Sequence, residues 1–182
     1  MKGNSDMAQH IFLTGKKHIG KSTLIKKILA DYKGTVDGFL TLRTKEYLGD
    51  HYSVHMCHIK ENEIPNEQNL LFLCGKADKK KASDIFNHLG CNILSKCTDC
   101  SLIIMDELGP HEADAVFFRQ KVLRLLDSSI PILGILQEPA ESSWPEIVNH
   151  PNVEVIPLTE ENREDASLIE YISHSLNSAH TC

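Results

Sequence analysis

The sequence contains no run approaching the ~18 unbroken apolar residues that a membrane-crossing helix needs. Its polar opening, MKGNSDMAQ, has no apolar core of the kind that directs export. A soluble chain in the cytoplasm, without a membrane partner, is the expectation. Basic charge is also short: 19 Lys and Arg face 25 Asp and Glu, for a formal charge of −6. A net basic face is what draws a protein to a polyphosphate backbone, so nucleic acid is not an expected partner. The run Lys76, Lys79, Lys80 and Lys81 reads as solvated surface. Arginine is sparse: the full set is Arg43 and Arg163, which read as loop residues, and Arg119 and Arg124, which read as surface residues of a helix. Aromatic residues make up 6%, and neither a repeat nor a linker interrupts the pattern.

What is present fits one globular domain. The chain has 182 residues, 41% hydrophobic and 24% charged, enough to bury a core without covalent staples. The reading is a flexible stretch over residues 1–9 and a single domain over 10–178. His10 to Thr14 is a short apolar run of strand formers. A glycine-bounded loop follows, then Lys21 to Tyr32 with Leu24, Ile25, Ile28 and Leu29 at helical spacing. Thr35 to Thr41 reads as a strand, and Tyr52 to Ile59 alternates with a period of two, as one arm of a half-exposed hairpin does. Ser83 to Cys97 reads as a helix weakened or interrupted at Gly90. Ser101 to Met105 is a continuous apolar run ending in Asp106, the pattern of a strand buried on both faces. A helix over Ala113 to Leu126, strands over Ile130 to Leu136 and Val153 to Ile156, and a helix over Ala166 to Leu176 complete the order. Strands alternating with helices predict an α/β layered domain with a mainly parallel sheet and a small antiparallel hairpin insertion.

The loop Gly15-Lys16-Lys17-His18-Ile19-Gly20-Lys21-Ser22 meets the pattern GxxxxGK[ST] between a strand and a helix. Its glycines let the backbone wrap phosphates with N–H groups inward, and the helix presents its positive end to the anion. Lys21 is the residue that reaches the β- and γ-phosphates, and the Ser22 hydroxyl is a ligand for Mg²⁺. Thr23 completes the segment expected to touch the nucleotide. A metal-holding carboxylate is expected at the end of a second buried strand, and Asp106 stands there. Glu107 beside it is suited to orienting or deprotonating a water for attack on the γ-phosphate, and Glu112 is a weaker candidate for the same task.

The segments GKKHIGKSTL, VDGFLT, LIIMDELGPHE and LTEENRE together resemble the THEP1-type nucleoside-triphosphatases, in order and spacing, over His10 to Ile172. That resemblance implies a three-layer, RecA-like P-loop sheet and Mg²⁺-dependent hydrolysis of ATP, GTP and other nucleoside triphosphates with loose base preference. By motif it makes Lys21 and Ser22 the phosphate and metal residues, Asp106 the Walker B acid and Glu107 the catalytic carboxylate. It also brings Asn162 and Arg163 to the nucleotide end of the sheet. This chain departs from the family in carrying Lys16, Lys17 and His18 where small residues, Pro or Gly are usual, and TLRTKEYLGDHY where a Glu-Val-Arg segment is usual. Arg43 is thereby shifted or replaced.

Other readings remain open on the sequence alone. A small-molecule or nucleotide kinase shares the P-loop, although it needs a water-excluding lid that four scattered arginines do not announce. A nucleotide-gated binding module shares it too, with an unknown protein partner. Lys16 stands where the deviant, dimer-forming P-loop ATPases carry a signature lysine, without their glycine pair. Cys57, Cys74, Cys91, Cys97, Cys100 and Cys182 read as free thiols in a reducing compartment. Cys97 and Cys100 have zinc-ligand spacing but no second pair, and small buried thiols are the better account.

Overall fold

The computed structural model describes residues 9–47, Gly49, 51–61, 64–73 and 79–178. Cys74, Lys76, Cys182 and residues 1–8 of the expected flexible stretch lie outside the described residues. Strands β1 (His10–Thr14), β2 (Val36–Thr44), β3 (Ser53–His58), β4 (Leu70–Leu73), β5 (Leu102–Leu108), β6 (Ile132–Leu136) and β7 (Val153–Pro157) form one sheet in the order β4-β3-β2-β5-β6-β1-β7. The five from β2 to β7 are parallel, and β3 and β4 extend the sheet antiparallel from β2. The expected hairpin is therefore a continuation of the sheet. β2 runs past the parallel core to Thr44 and pairs with β3 from Phe39 to Thr44.

Continuous apolar runs make the inner strands, because both of their faces are covered. On β1 Ile11 and Leu13 face one side and Phe12 the other, all fully buried. The first side is closed by α1 (Lys21–Asp31) and, at the end of the chain, α8 (Ala166–Ser178), through Leu24, Ile25, Ile28, Ile172 and Leu176. The second is closed by α2 (Lys79–Ile85), a π-helical turn over Phe86–Gly90, α3 (Cys91–Lys96) and α5 (Val116–Leu126). Phe118 sits at the centre of this side, its ring 4.9 Å from Phe86 and 5.7 Å from Phe39. Burial of each such ring stabilises the fold by about 1.5–3 kcal/mol. The result is three layers, helices on both faces of the sheet.

Several boundaries differ from the periodicity, for local reasons. The helix predicted to falter at Gly90 takes up one wide turn there, and a Cβ at Gly90 would stand 2.8 Å from the Phe118 ring. That turn aims Asn87 Oδ1 at the backbone N–H groups of Phe117 and Phe118, 2.9 and 3.1 Å away, where it caps α5. The segment predicted as one helix from Ala113 is instead the short α4 (Pro110–Ala113), a break, and α5. Two further turns, α6 (Ala140–Ser143) and α7 (Pro145–Val148), connect β6 to β7 around the buried Trp144. Elements this short carry no periodic signal.

Buried polar groups at the amino ends of the strands are paired. Burial alone would raise the Asp37 carboxyl, but hydrogen bonds from Lys60, His58 and the Gly38 N–H more than offset it and hold the group below its ordinary range. Burial pushes the nearby Cys97 thiol up to about 12, so it stays protonated. Its Sγ donates to the Ile93 carbonyl at 3.4 Å. Among the described residues, no group of three or more His, Cys, Asp or Glu is arranged to hold a metal ion, and no helix is long and apolar enough to cross a membrane.

His10 is the exception. It is fully buried, its Nε2 lies 3.0 Å from the Leu126 carbonyl, and Nδ1 has no hydrogen-bond partner among the described residues. Burial lowers its pKa from 6.5 to about 4. Between those values the unfolded chain binds a proton that the folded chain refuses, so this contribution to stability is complete above pH 6.5 and is lost as pH falls towards 4. The shift corresponds to about 3 kcal/mol. Urea unfolding at pH 7 and pH 4 should show the parent losing about that much more stability than His10→Gln. Equal losses in the two proteins would remove His10 as the cause.

Candidate functional site

The phosphate loop leaves β1 towards the α1 face, whereas the chain leaving the adjacent β6 turns to the opposite face through α6 and α7. The crevice outside the carboxyl ends of such a strand pair is where open α/β sheets bind ligands. Gly15 and Gly20 take φ of 133° and 112°, conformations that side chains rarely adopt, and a Cβ at Gly15 would stand 2.5 Å from the Leu158 carbonyl oxygen. His18 also takes a positive φ, 65°. The bend it makes points the loop round towards α1, whose first N–H groups have no partner within the helix and form an anion site. Lys21 is buried and folds back over the loop. Its ammonium donates to the carbonyls of Gly15 at 2.6 Å and Lys16 at 3.1 Å. Lys16 and Lys17 are exposed.

The second half of the site comes from β5. Three residue steps on β5, Met105 to Leu108, lie against two on β6, Gly134 to Leu136, so the ladder is bulged at Asp106 and Glu107. A bulge frees side chains from the regular alternation and is common beside active sites. The strand thus continues through the two carboxylates, three residues beyond the end predicted at Met105. Asp106 is 5% exposed, and the Ser22 hydroxyl donates to its Oδ1 at 3.3 Å across the intervening β6. Burial raises its pKa to about 6, with the Glu107 charge adding to the rise and the Ser22 bond opposing it. Glu107 is half-buried. A serine hydroxyl and one carboxylate are a fitting protein share of a Mg²⁺ shell, which otherwise takes waters and phosphate oxygens.

A cleft of about 210 Å³ lies beside the loop, lined by His18, Ile19, Gly20, Thr23, Leu24, Lys27, Arg163 and Glu164. Arg163 therefore reaches the phosphate loop from the segment after β7. Asn162 holds that segment in shape instead of facing the cleft: its Oδ1 accepts from the Thr159 N–H at 2.7 Å and its Nδ2 donates to the Pro157 carbonyl at 3.0 Å. Arg43 and Lys45 both stack on the Tyr52 ring, on the β2–β3 ribbon. Arg119, read from its helix as a surface residue, is half-buried: it pairs with Glu146, donates to the carbonyls of Ala113 and Ser143, and stacks on Trp144. Arg124 is exposed.

A family model described as NTPase matches residues 10–172. The chain belongs to this family. It is 26% identical over 162 residues to the nucleoside-triphosphatase THEP1 of Natranaerobius thermophilus, covering 86% of this chain and 90% of that one. Its identity to a human cancer-related nucleoside-triphosphatase is 29% over 176 residues, with coverage of 86% and 92%. The crystal structure of THEP1 from Aquifex aeolicus superposes with a TM-score of 0.70 at 23% identity, over 90% of this chain and 96% of that one. The solution structure of the human protein does so with a TM-score of 0.61 at 25% identity, over 94% and 98%. The chain is thus a P-loop NTPase with the fold that its sequence pattern implies.

Within this NTPase the structure brings Gly15 to Thr23, Asp106, Glu107 and Arg163 to one end of the sheet. Three other residues there were not legible as such. Glu112, a candidate base on the sequence, has its carboxylate against the Gly109 N–H at 2.7 Å. The signal for this was the Pro at the first and Glu at the third helical position after Gly109, a half capping box. Trp144 donates its Nε1–H to the Gly109 carbonyl at 2.9 Å from 35 residues away. Gln137 donates its backbone N–H to the Leu108 carbonyl at 2.8 Å. No local pattern announces these last two.

Proposed function

We propose that this NTPase domain, residues 10–178, hydrolyses nucleoside triphosphates to diphosphate and phosphate in a Mg²⁺-dependent reaction with broad base preference. The observation that carries the reading is the Ser22–Asp106 contact at 3.3 Å, which joins the phosphate loop to the bulged β5 pair with Glu107 alongside. In this reading the N–H groups from Gly20 to Ser22 cradle the phosphates, and Lys21 exchanges its loop carbonyls for phosphate oxygens. Ser22 and Asp106 would hold a Mg²⁺ ion, which would supply positive charge against the phosphates. Glu107 orients the attacking water and accepts its proton. Arg163, on the wall of the cleft beside Gly20 and Thr23, adds a cation to the nucleotide from outside the loop.

The cleft from His18 to Glu164 is where base and ribose fit, and its walls support loose selectivity. His18, Thr23, Lys27, Arg163 and Glu164 are all exposed, and strong discrimination needs buried groups that a wrong base leaves unpaired. Phosphate release should therefore occur with ATP, GTP, CTP and UTP at kcat/KM values within about tenfold of one another. Chelating Mg²⁺ should reduce it by at least about 100-fold. Release from one nucleotide alone would sink the base reading, and full activity in EDTA would sink the metal reading. Cys91, Cys97 and Cys100 are free thiols, which supports a reducing, cytoplasmic setting.

A further inference from the structure

The β5–β6 ladder breaks at Asp106 and Glu107 and resumes at Leu108, and just beyond it the peptide groups of Gly109 are held by side chains. The Gly109 N–H is taken by Glu112 Oε2 at 2.7 Å and its carbonyl by Trp144 Nε1 at 2.9 Å. Both holding side chains are buried, Glu112 at 6% exposure and Trp144 at 0%. The grip comes from two independent directions, α4 in the segment itself and the turn between α6 and α7. Trp144 is in turn fixed by the Arg119 guanidinium, 4.8 Å over its ring and anchored to Glu146, Ala113 and Ser143. The side chains crowd the glycine closely: a Cβ there would stand 2.5 Å from Gln137 Oε1 and 2.9 Å from Glu112 Oε2. One residue further back, the Leu108 carbonyl accepts from the Gln137 N–H.

We propose that Glu112 and Trp144 form a two-sided clamp on Gly109 that positions Glu107 for water activation, which makes Glu112 a positioning residue and not a second base. The inference rests on the reading of Glu107 given above. One residue, Leu108, separates Glu107 from Gly109, so a shift of Gly109 is carried into the direction of the Glu107 carboxylate. A displacement of about 1 Å at a reacting group is enough to cost about 100-fold in rate. Burial, the Gly109 N–H and the nearby Glu107 charge act on Glu112 together, and burial dominates, raising its carboxyl to about 7. The clamp needs only an oxygen acceptor, which either protonation state provides. A buried acid already bound to backbone is poorly placed to take a proton from water at the crevice.

The test uses the intact chain with MgATP titrated to saturation and reads kcat and KM separately. Glu112→Ala should lower kcat by at least about tenfold while KM stays within about twofold, because the phosphate loop is untouched. Glu112→Gln, which keeps an acceptor for the Gly109 N–H, should recover kcat to within about threefold of the parent. Trp144→Phe, which keeps a ring but loses the Nε1 donor, should also lower kcat at constant KM, and it carries the test if Glu112→Ala does not fold. Parental kcat in Glu112→Ala and Trp144→Phe, a rise in KM matching the loss of kcat, or a Gln variant as damaged as the Ala variant would each overturn the clamp. Glu107→Gln run in parallel separates the two claims. If it is fully active the reading of Glu107 falls, whereas if it is inactive beside a fully active Glu112→Ala only the clamp falls.

Discussion

Glu107→Gln is expected to bind nucleotide within about threefold of the parent and to hydrolyse it about 10²–10⁴-fold more slowly, the range that general-base groups contribute. The substitution preserves shape and removes the charge that accepts the proton. Binding should survive because the proposed phosphate contacts come from other elements: the loop after β1, the start of α1 and the Lys21 ammonium. Asp106→Asn makes the contrast. It removes the buried carboxylate beside Ser22, so the metal requirement should change with the rate. Titration of a fluorescent nucleotide analogue alongside phosphate release separates these effects. A Glu107→Gln variant that hydrolyses at the parental rate would return the water-activating role to another group.

The centre of the parallel core, β1, β5 and β6, was legible because these strands are buried on both faces and are written as apolar runs. SLIIM and IPILGIL could be nothing exposed. The phosphate loop was legible because its chemistry is local, with eight consecutive residues supplying backbone, ammonium and hydroxyl. What the pattern missed depends on partners distant in the chain. β4 is four residues of LLFL, too short and too uniform to separate strand from helix. The continuation of β5 through Asp106 and Glu107 was hidden because two acidic residues read as the end of an apolar run, whereas a bulge against β6 accommodates them. Arg119 read as surface because helical spacing places a residue on a face without saying what α6 and α7 lay over that face. Asn162 matched a motif whose residue types were right, but its side chain shapes the segment that presents Arg163.

Lys21→Ala should abolish binding and turnover together, unlike Glu107→Gln. Lys21 is 8% exposed, and its ammonium lies against two carbonyls of the loop, those of Gly15 and Lys16. In the proposed role it exchanges these carbonyls for phosphate oxygens. Removing one member of a hydrogen-bonded charge pair costs at least about 2 kcal/mol, which is about 30-fold in affinity. Lys21→Arg should not rescue it, since a planar fork does not fit where one compact cation meets two convergent carbonyls. The neighbouring lysines give the control. Lys16 and Lys17 are exposed, so their attraction for phosphate is screened, and Lys16→Ala and Lys17→Ala should each weaken affinity by less than about fivefold, and less at high salt. Nucleotide titration of the four variants at low and high ionic strength measures all of this. A loss in Lys16→Ala as deep as in Lys21→Ala, and insensitive to salt, would mean that Lys16 acts at a buried γ-phosphate as the signature lysine of the dimer-forming ATPases does.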